Sequence, residues 1–132
     1  MVKKELKSTL LIENIVCGIE HVKGQGISIM DLREIENSVC DYFILCTGTS
    51  NIHVQSIVNS IKKFVSRSVN EKPYQTEGHN NAEWVLMDYI DVVVHVFQNH
   101  IRDFYNLESL WGDAKSIKPV SYTHLRAHET PA

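Results

Sequence analysis

The strand predicted from Val92 to Phe97 constrains the fold of this chain more than any other feature. Its residues alternate between two faces, with three valines on one face and Val93, His95 and Phe97 on the other. A strand that is apolar on both faces belongs in the middle of a sheet that is covered on two sides. The sequence therefore predicts an α/β or α+β domain with a mixed central sheet flanked by helices.

This strand is the second half of a hairpin predicted from Glu83 to Gln98. Asp88 and Asp91 flank the hairpin turn, and His95 lies between valines. Polar groups in apolar surroundings cost free energy unless they have hydrogen-bonding partners. These three residues therefore serve a network that specifies the fold, a chemical reaction, or a binding partner.

Composition and charge limit the class of protein. One soluble domain is expected from 132 residues, of which 43% are hydrophobic and 22% charged. The net charge of -3 argues against a protein whose main affinity comes from neutralising phosphates, so a general RNA-binding module fits poorly and no sequence-specific nucleic acid partner is predicted. The charge favours a neutral or basic partner, including a basic protein. The three cysteines show no paired spacing, and no apolar run is long enough for a signal or a membrane span. A cytoplasmic protein with no membrane partner is therefore predicted.

The end of the chain differs in character from the rest. Residues 120–130 have no amphipathic period and resemble the translated reading of a DNA sequencing adapter. We therefore predict one domain over residues 1–119 and a non-native tail over residues 120–132. A genuine disordered terminus is the alternative. Under either interpretation, the i,i+4 pair of His124 and His128 is not assigned as a metal site.

Hydrophobic periodicity divides the rest of the chain into alternating helices and strands. In chain order, the predicted elements are a helix at 4–22, strands at 27–32 and 41–47, a helix after Ser50, a connection or edge strand at 70–77, the hairpin at 83–98 and a helix at 100–107. Glycines and a proline lie between these elements, as expected for turns. A mixed sheet with helices packed on it follows from this order.

The Gly48-Thr49-Ser50 turn joins a strand to the start of a helix. Such a junction can hold an anion, because free N–H groups and the helix dipole favour negative charge. However, it lacks the P-loop lysine and the dinucleotide glycine pattern. A structural role is therefore favoured, with Gly48 in the turn and Thr49 or Ser50 as the N-cap.

The polar residues of the hairpin do not form a recognisable active site. Asp88 and Asp91 are three residues apart, so on a strand they would point to opposite faces, and turn formation or contact with a basic partner is favoured. His95 has no nucleophile or second ligand nearby in sequence, which favours a hydrogen-bonded core histidine. No zinc spacing or nucleophile motif is present, so no catalytic residue, metal or cofactor is predicted.

Aromatic residues are concentrated around the hairpin and the last predicted helix. They are Trp84, Tyr89, Tyr105 and Trp111. Most are expected in the core, but Trp and Tyr also anchor protein interfaces. Together with Glu83, Asp88 and Asp91 they would form an apolar patch with an acidic rim, which suits a basic protein surface.

Three blocks of sequence carry a family resemblance. They are DYFILCTGTSNIHV from Asp41, GHNNAEWVLMDYIDVVVHVF from Gly78 and RDFYNLESLW from Arg102. In this order and at this spacing they resemble the ribosomal silencing factor family, which is also called the Iojap or RsfS family. The resemblance extends from about Lys4 to Ala114.

The resemblance implies a fold similar to that of the nucleotidyltransferases. It also implies binding to the large ribosomal subunit through ribosomal protein L14, at the face where the small subunit docks. The bound protein would block subunit joining and lower translation when nutrients are scarce. Homodimerisation is a further expectation. One departure is Ile90, which occupies a hairpin turn where many relatives carry glycine.

These observations together predict a non-catalytic ribosomal silencing factor. Its predicted partner-binding residues are Glu83, Trp84, Leu86, Met87, Asp88, Tyr89, Asp91, Tyr105 and Trp111. His95, Gly48 and Ser50 are assigned structural roles. The alternative is a nucleotidyltransferase-like enzyme that binds a nucleoside triphosphate at the Gly48 turn.

Overall fold

A mixed sheet forms the centre of the computed structural model, which describes residues 2–36, 38, 40–78, 81–105 and 115–117. The described elements in chain order are α1 (Val2–His21), β1 (Gln25–Asp31), β2 (Tyr42–Gly48), α2 (Asn51–Val69), β3 (Gln75–Glu77), β4 (Trp84–Asp88), β5 (Val92–Gln98), α3 (Asn99–Tyr105) and β6 (Lys115–Ile117). The prediction of a mixed sheet with helices packed on it is confirmed.

Six strands of the described chain form this sheet, in the order β3-β4-β5-β2-β1-β6. β2 and β5 are parallel, and their register runs from Tyr42 opposite Val92 to Gly48 opposite Gln98. The other neighbouring strands are antiparallel. A parallel pair needs a long crossover, and here the crossover contains α2, β3 and β4. The two strands with the most apolar sequences therefore lie side by side, and the prediction that the Val92–Phe97 strand lies in the middle of the sheet is confirmed.

Helices α1 and α2 cover one face of the sheet. The valines at 92, 94 and 96 of β5 point to this face and are fully buried. They pack in one cluster with the isoleucine stripe of α1 and with Ile57 and Ile61 of α2. Each such aliphatic side chain stabilises the fold by roughly 1.5–3 kcal/mol relative to an exposed one. This layer is therefore the main hydrophobic core.

Gly18 allows α1 and α2 to approach each other closely. A Cβ atom at Gly18 would lie 2.8 Å from the Cα atom of Ile61, which is closer than packed side chains allow. At the same crossing the Ser60 hydroxyl donates a hydrogen bond of 2.7 Å to the Gly18 carbonyl. The buried hydroxyl thus has a partner, and the two helices are fixed relative to each other.

The opposite face of the sheet carries a second, smaller cluster. Its buried strand residues are Met30, Phe43, Leu45, Val93 and Phe97. Leu32 and Cys40 from the β1–β2 connection belong to it, and Ile35 and Ile101 pack against it. No long helix of the described chain lies over this face. The two faces of the central strands are therefore covered by different means.

The predicted elements are confirmed, with small shifts at their ends. The choice of N-cap for α2 is settled as Ser50, which has an extended backbone and accepts a 3.1 Å hydrogen bond from the His53 N–H. The connection at 70–77 contains the short edge strand β3. The last helix is described as Asn99–Tyr105, and residues 106 and 107 lie outside the described residues. Residues 120–132 also lie outside them, so the origin of the tail stays a prediction.

Ile90 has an unusual backbone conformation in the β4–β5 turn. Its φ is +75°, and the Asp91 N–H donates a 3.0 Å hydrogen bond to the Tyr89 carbonyl across it. This is a three-residue γ-turn, and a β-branched residue at positive φ is strained there. The side chain of Ile90 is 62% exposed, so burial does little to offset the strain. The departure from glycine noted in the sequence therefore has a conformational cost.

We expect Ile90→Gly to raise the free energy of unfolding by about 1 kcal/mol, because glycine adopts positive φ without a Cβ clash. Urea denaturation of the two proteins measures this difference. Ile52→Gly is the matched control, since Ile52 is 73% exposed in the first turn of α2. There glycine should lower the free energy of unfolding by roughly 0.5–1 kcal/mol. Destabilisation by both substitutions would contradict the strain assigned to Ile90.

Candidate partner-binding face

The side chains of β4 alternate between the two faces of the sheet. Val85 and Met87 point towards the helices and are fully buried. Trp84, Leu86 and Asp88 therefore point to the opposite face, and all three are half-buried. This strip is a part of the second face on which apolar side chains remain accessible to a partner.

The strip lies directly beside the buried residues of β5. Trp84 is opposite Phe97, Leu86 is opposite His95, and Asp88 is opposite Val93. The Trp84 indole N–H donates a 3.2 Å hydrogen bond to the Nδ1 atom of His95. Its ring centroid is also 5.1 Å from that of Phe97. Trp84 is therefore held in one orientation by a polar and an aromatic contact.

His95 is a neutral core residue in this arrangement. Because its Nδ1 atom accepts a hydrogen bond from Trp84, its proton resides on Nε2. Burial lowers the pKa of His95 from 6.5 to about 4, and the ring of Phe43 contacts its ring edge-on at a centroid distance of 4.8 Å. The Nε2 atom is buried and has no hydrogen-bond partner. His95 thus positions Trp84 at a cost in polar desolvation.

Carboxylates flank the apolar part of the strip. Asp88 accepts a 2.7 Å hydrogen bond from the Ile90 N–H, which shows the turn-forming role considered in the sequence. The register of β3 places Glu77 opposite Leu86, so Glu77 lies on the same face as Asp88. The sequence did not point to Glu77, because the register of a three-residue polar strand has no signal in the sequence. We call Trp84, Leu86, Asp88 and Glu77 the β4 face.

Two predicted partner-binding residues are not accessible. Met87 is fully buried against the helices, and Tyr89 is only 4% exposed. Burial raises the pKa of Tyr89, and the nearby Glu71 carboxylate raises it further. Both side chains belong to the main hydrophobic core. The surface available to a partner is therefore narrower than the sequence block indicated.

The remaining predicted contact residues lie around the β4 face or outside the described side chains. Glu83 is exposed immediately before β4, and Asp91 is half-buried after the turn. Tyr105 ends α3, but its side chain is not among those described. Trp111 lies outside the described residues. Contact of these residues with a partner stays a prediction.

Three backbone N–H groups at the start of α2 form hydrogen bonds within the protein. The Thr49 N–H donates a 2.9 Å hydrogen bond to the Nδ1 atom of His53. The His53 N–H is bonded to the Ser50 hydroxyl, and the Val54 N–H to the Ser50 carbonyl at 2.9 Å. An anion at this junction would have to displace these contacts. The arrangement supports the structural roles assigned to this turn.

The same junction fixes β2 and α1 to α2. A Cβ atom on Gly48 would lie 3.0 Å from both the backbone nitrogen and a methyl carbon of Val54, so glycine permits the close approach. Since the Nδ1 atom of His53 is an acceptor, its Nε2–H donates to the Val22 carbonyl at 2.7 Å. The sequence could not predict the hydrogen bond between His53 and Val22, because these residues are far apart in the chain.

Other reactive groups of the described chain are buried. Burial raises the pKa of the Cys40 and Cys46 thiols to about 12, so both are protonated at neutral pH and are poor nucleophiles. Neither forms a disulfide bond, and the same holds for the half-buried Cys17. Among the described residues, no three His, Cys, Asp or Glu side chains are placed to hold a metal ion. None of the described helices combines the length and the apolar character that crossing a membrane requires.

Comparison with known proteins gives consistent matches. Residues 5–132 match the model of the family described as ribosomal silencing factor during starvation. The chain is 41% identical over 108 residues to the ribosomal silencing factor RsfS of Bacillus subtilis, covering 82% of this chain and 88% of that protein. It is 32% identical over 102 residues to the mitochondrial assembly of ribosomal large subunit protein 1 of Mus musculus, covering 76% of this chain and 44% of that protein. A crystal structure from Chromobacterium violaceum superposes with a TM-score of 0.70 at 36% identity, covering 82% of this chain and 85% of that one.

The burial of His95 predicts that the fold is sensitive to acid. Its folded pKa of about 4 lies below the ordinary 6.5, so the unfolded chain binds the proton more readily between these pH values. The free energy of unfolding is therefore not lowered by protonation of His95 above pH 6.5. As the pH falls towards 4, this free energy decreases by about 3 kcal/mol. His95→Gln cannot titrate but retains an acceptor for Trp84. Between pH 6.5 and pH 4, we expect the free energy of unfolding, measured with urea, to fall by about 3 kcal/mol more in the wild type than in the variant. An equal pH dependence would contradict this assignment.

Proposed function

Since the chain belongs to the ribosomal silencing factor family, we propose that it binds the large ribosomal subunit through ribosomal protein L14 and blocks joining of the small subunit. Blocking by occupancy needs affinity and bulk but no reactive group. The observation that carries the proposal is the β4 face, which combines a fixed tryptophan with an apolar neighbour and two carboxylates. Repression of translation follows from the obstruction.

The β4 face has the properties of an interface anchor. Tryptophan is enriched among the residues that dominate binding energy, and Trp84 is held in place by His95 and Phe97. A side chain that is already ordered loses little conformational entropy on binding. Asp88 and Glu77 add negative charge beside it, which complements a basic protein and speeds its association.

The name of a relative supports the large ribosomal subunit as the proposed partner. The name of the mouse protein refers to assembly of the ribosomal large subunit. A cytoplasmic location stays a prediction from the sequence, and homodimerisation stays a prediction from the family resemblance.

The enzyme alternative has less support. At the Gly48 turn, the Thr49 N–H is bonded to the His53 ring and the His53 N–H to the Ser50 hydroxyl, so a triphosphate would have to displace both contacts. The buried cysteines are protonated and His95 is neutral at pH 7, so these groups are poor nucleophiles or bases. Isothermal titration with a nucleoside triphosphate and Mg²⁺ is the direct test, and binding that Ser50→Ala abolishes would favour the enzyme.

A pull-down with purified large subunits tests the proposal. The tagged protein should retain complete large subunits and should fail to retain subunits that lack L14. Added to separated subunits, it should also reduce the fraction of joined ribosomes in a sucrose gradient. Retention of subunits that lack L14 would contradict the proposed partner, and unaffected joining would contradict the proposed obstruction.

We expect Trp84→Ala to weaken binding to the large subunit about 30-fold, because loss of a central aromatic anchor costs about 2 kcal/mol or more. Asp88→Asn keeps an oxygen acceptor for the Ile90 N–H but removes the charge, so a few-fold loss that grows at low salt is expected. Thermal unfolding of each variant checks that the fold is retained.

Glu13→Gln is the matched control for the charge change, because Glu13 belongs to α1 on the opposite side of the sheet. It should bind large subunits as tightly as the wild type. Wild-type affinity of folded Trp84→Ala and Asp88→Asn variants would show that the β4 face is not the interface.

A further inference from the structure

A groove lies between the second half of α2 and the segment that leads into β3. It has a volume of about 600 Å³, which is in the range of sites that hold a ligand of nucleotide size. Four cationic side chains line it, three from α2 and one from the following connection. They are Lys62, Lys63, Arg67 and Lys72. The cations thus come from two elements and face a common concave surface.

The positive charge of this groove is not balanced locally. The carboxylate that lines it belongs to Glu71, and that group is 3.5 Å from the ammonium of Lys7. Among the described residues, no carboxylate lies within ion-pair distance of the four cations. All four side chains are exposed. A chain with a net charge of -3 therefore presents a local positive site.

An exposed aromatic ring lies at the same groove. Tyr74 lines it and is 74% exposed, although Tyr side chains usually bury much of their surface. Its backbone is held at the edge of the sheet, because its N–H donates a 2.6 Å hydrogen bond to the Asp88 carbonyl. An exposed ring beside cations that have no carboxylate partner is the combination that binds single-stranded nucleic acid, where phosphates meet the cations and bases stack on the ring.

We infer that this groove binds single-stranded RNA through its phosphates, with Tyr74 stacked on a base. The inference rests on the proposed function only for the source of the RNA, which would be ribosomal RNA of the large subunit. An acidic peptide would satisfy the cations but would leave the ring of Tyr74 without a planar partner. Recognition of this kind tolerates any sequence. It departs from the expectation based on net charge, because the cations are gathered in one groove of an acidic chain.

The groove and the β4 face meet at β3. Gln75 and Thr76 line the groove, while Glu77 belongs to the β4 face. A protein bound at the β4 face would therefore lie next to the groove. The two surfaces have opposite charge, so they fit a site where a basic protein lies next to exposed RNA.

Fluorescence anisotropy with a labelled, unstructured RNA of about 10 nucleotides tests the inference on the isolated protein. Wild-type affinity should fall with salt, with a log–log slope of about -2 to -3 for three or four phosphate contacts. The double variant Lys63→Gln with Arg67→Gln should bind about tenfold more weakly and reduce the slope by about 1.4. Tyr74→Ala should weaken binding about tenfold with an unchanged slope, because stacking releases no counterions.

Lys23→Gln is the control, since Lys23 is an exposed cation outside the groove. It should leave both the affinity and the slope close to the wild-type values. The inference is overturned if the wild type does not bind the RNA at low salt or if the groove variants bind like the wild type. It is also overturned if a polyglutamate peptide binds as tightly and Tyr74→Ala has no effect, which would indicate an acidic protein partner.

The two proposals fail in distinguishable ways. The anisotropy measurement contains no ribosomes, and the pull-down depends on L14. Loss of RNA binding with intact retention of large subunits removes the RNA site alone. If the protein binds RNA through the groove but does not retain large subunits, only the proposed ribosomal function is contradicted.

Discussion

The parallel pair of β2 and β5 determines much of the remaining structure, because both of its faces are apolar and each needs a cover. Helices α1 and α2 cover one face completely, and their close crossing at Gly18 brings both onto the same strands. The other face is covered by the connection after β1 and by α3. This second cover leaves Trp84 and Leu86 of β4 half-buried. The proposed docking surface is thus the edge of a hydrophobic layer that the fold itself requires.

The hydrogen bond between Trp84 and His95 links this layer to the surface. A histidine in the centre of an apolar face is costly, and its Nε2 atom has no partner. However, its Nδ1 atom accepts a hydrogen bond from the indole of Trp84, so a core residue sets the orientation of the tryptophan of the β4 face. The stability of the core at acidic pH and the order of the proposed anchor therefore depend on the same side chain.

Local patterns in the sequence predicted most of the elements, because strand alternation and helix periodicity are properties of neighbouring residues. They also limited the N-cap of α2 to Thr49 or Ser50, of which the structure shows Ser50. The family resemblance pointed to Ile90, which lies in a strained turn. The candidate site was less predictable. The sequence block did not distinguish Met87, which faces the helices, from its exposed neighbours, and it did not contain Glu77. Both depend on which face the helices cover and on the register of β3, and those are long-range properties.

Net charge illustrates the same limit, because it averages over surfaces that act separately. A value of -3 argued against binding driven by phosphates, yet four cations without carboxylate partners among the described residues meet in one groove. The acids lie next to that groove, with Glu77 in β3 and Asp88 in β4 opposite Gln75. A surface on which cations and acids occupy adjacent regions binds a mixed target in a single orientation, since the reverse orientation brings like charges together. Obstruction of subunit joining requires a defined orientation as well as affinity, and this separation of charge supplies a physical basis for it.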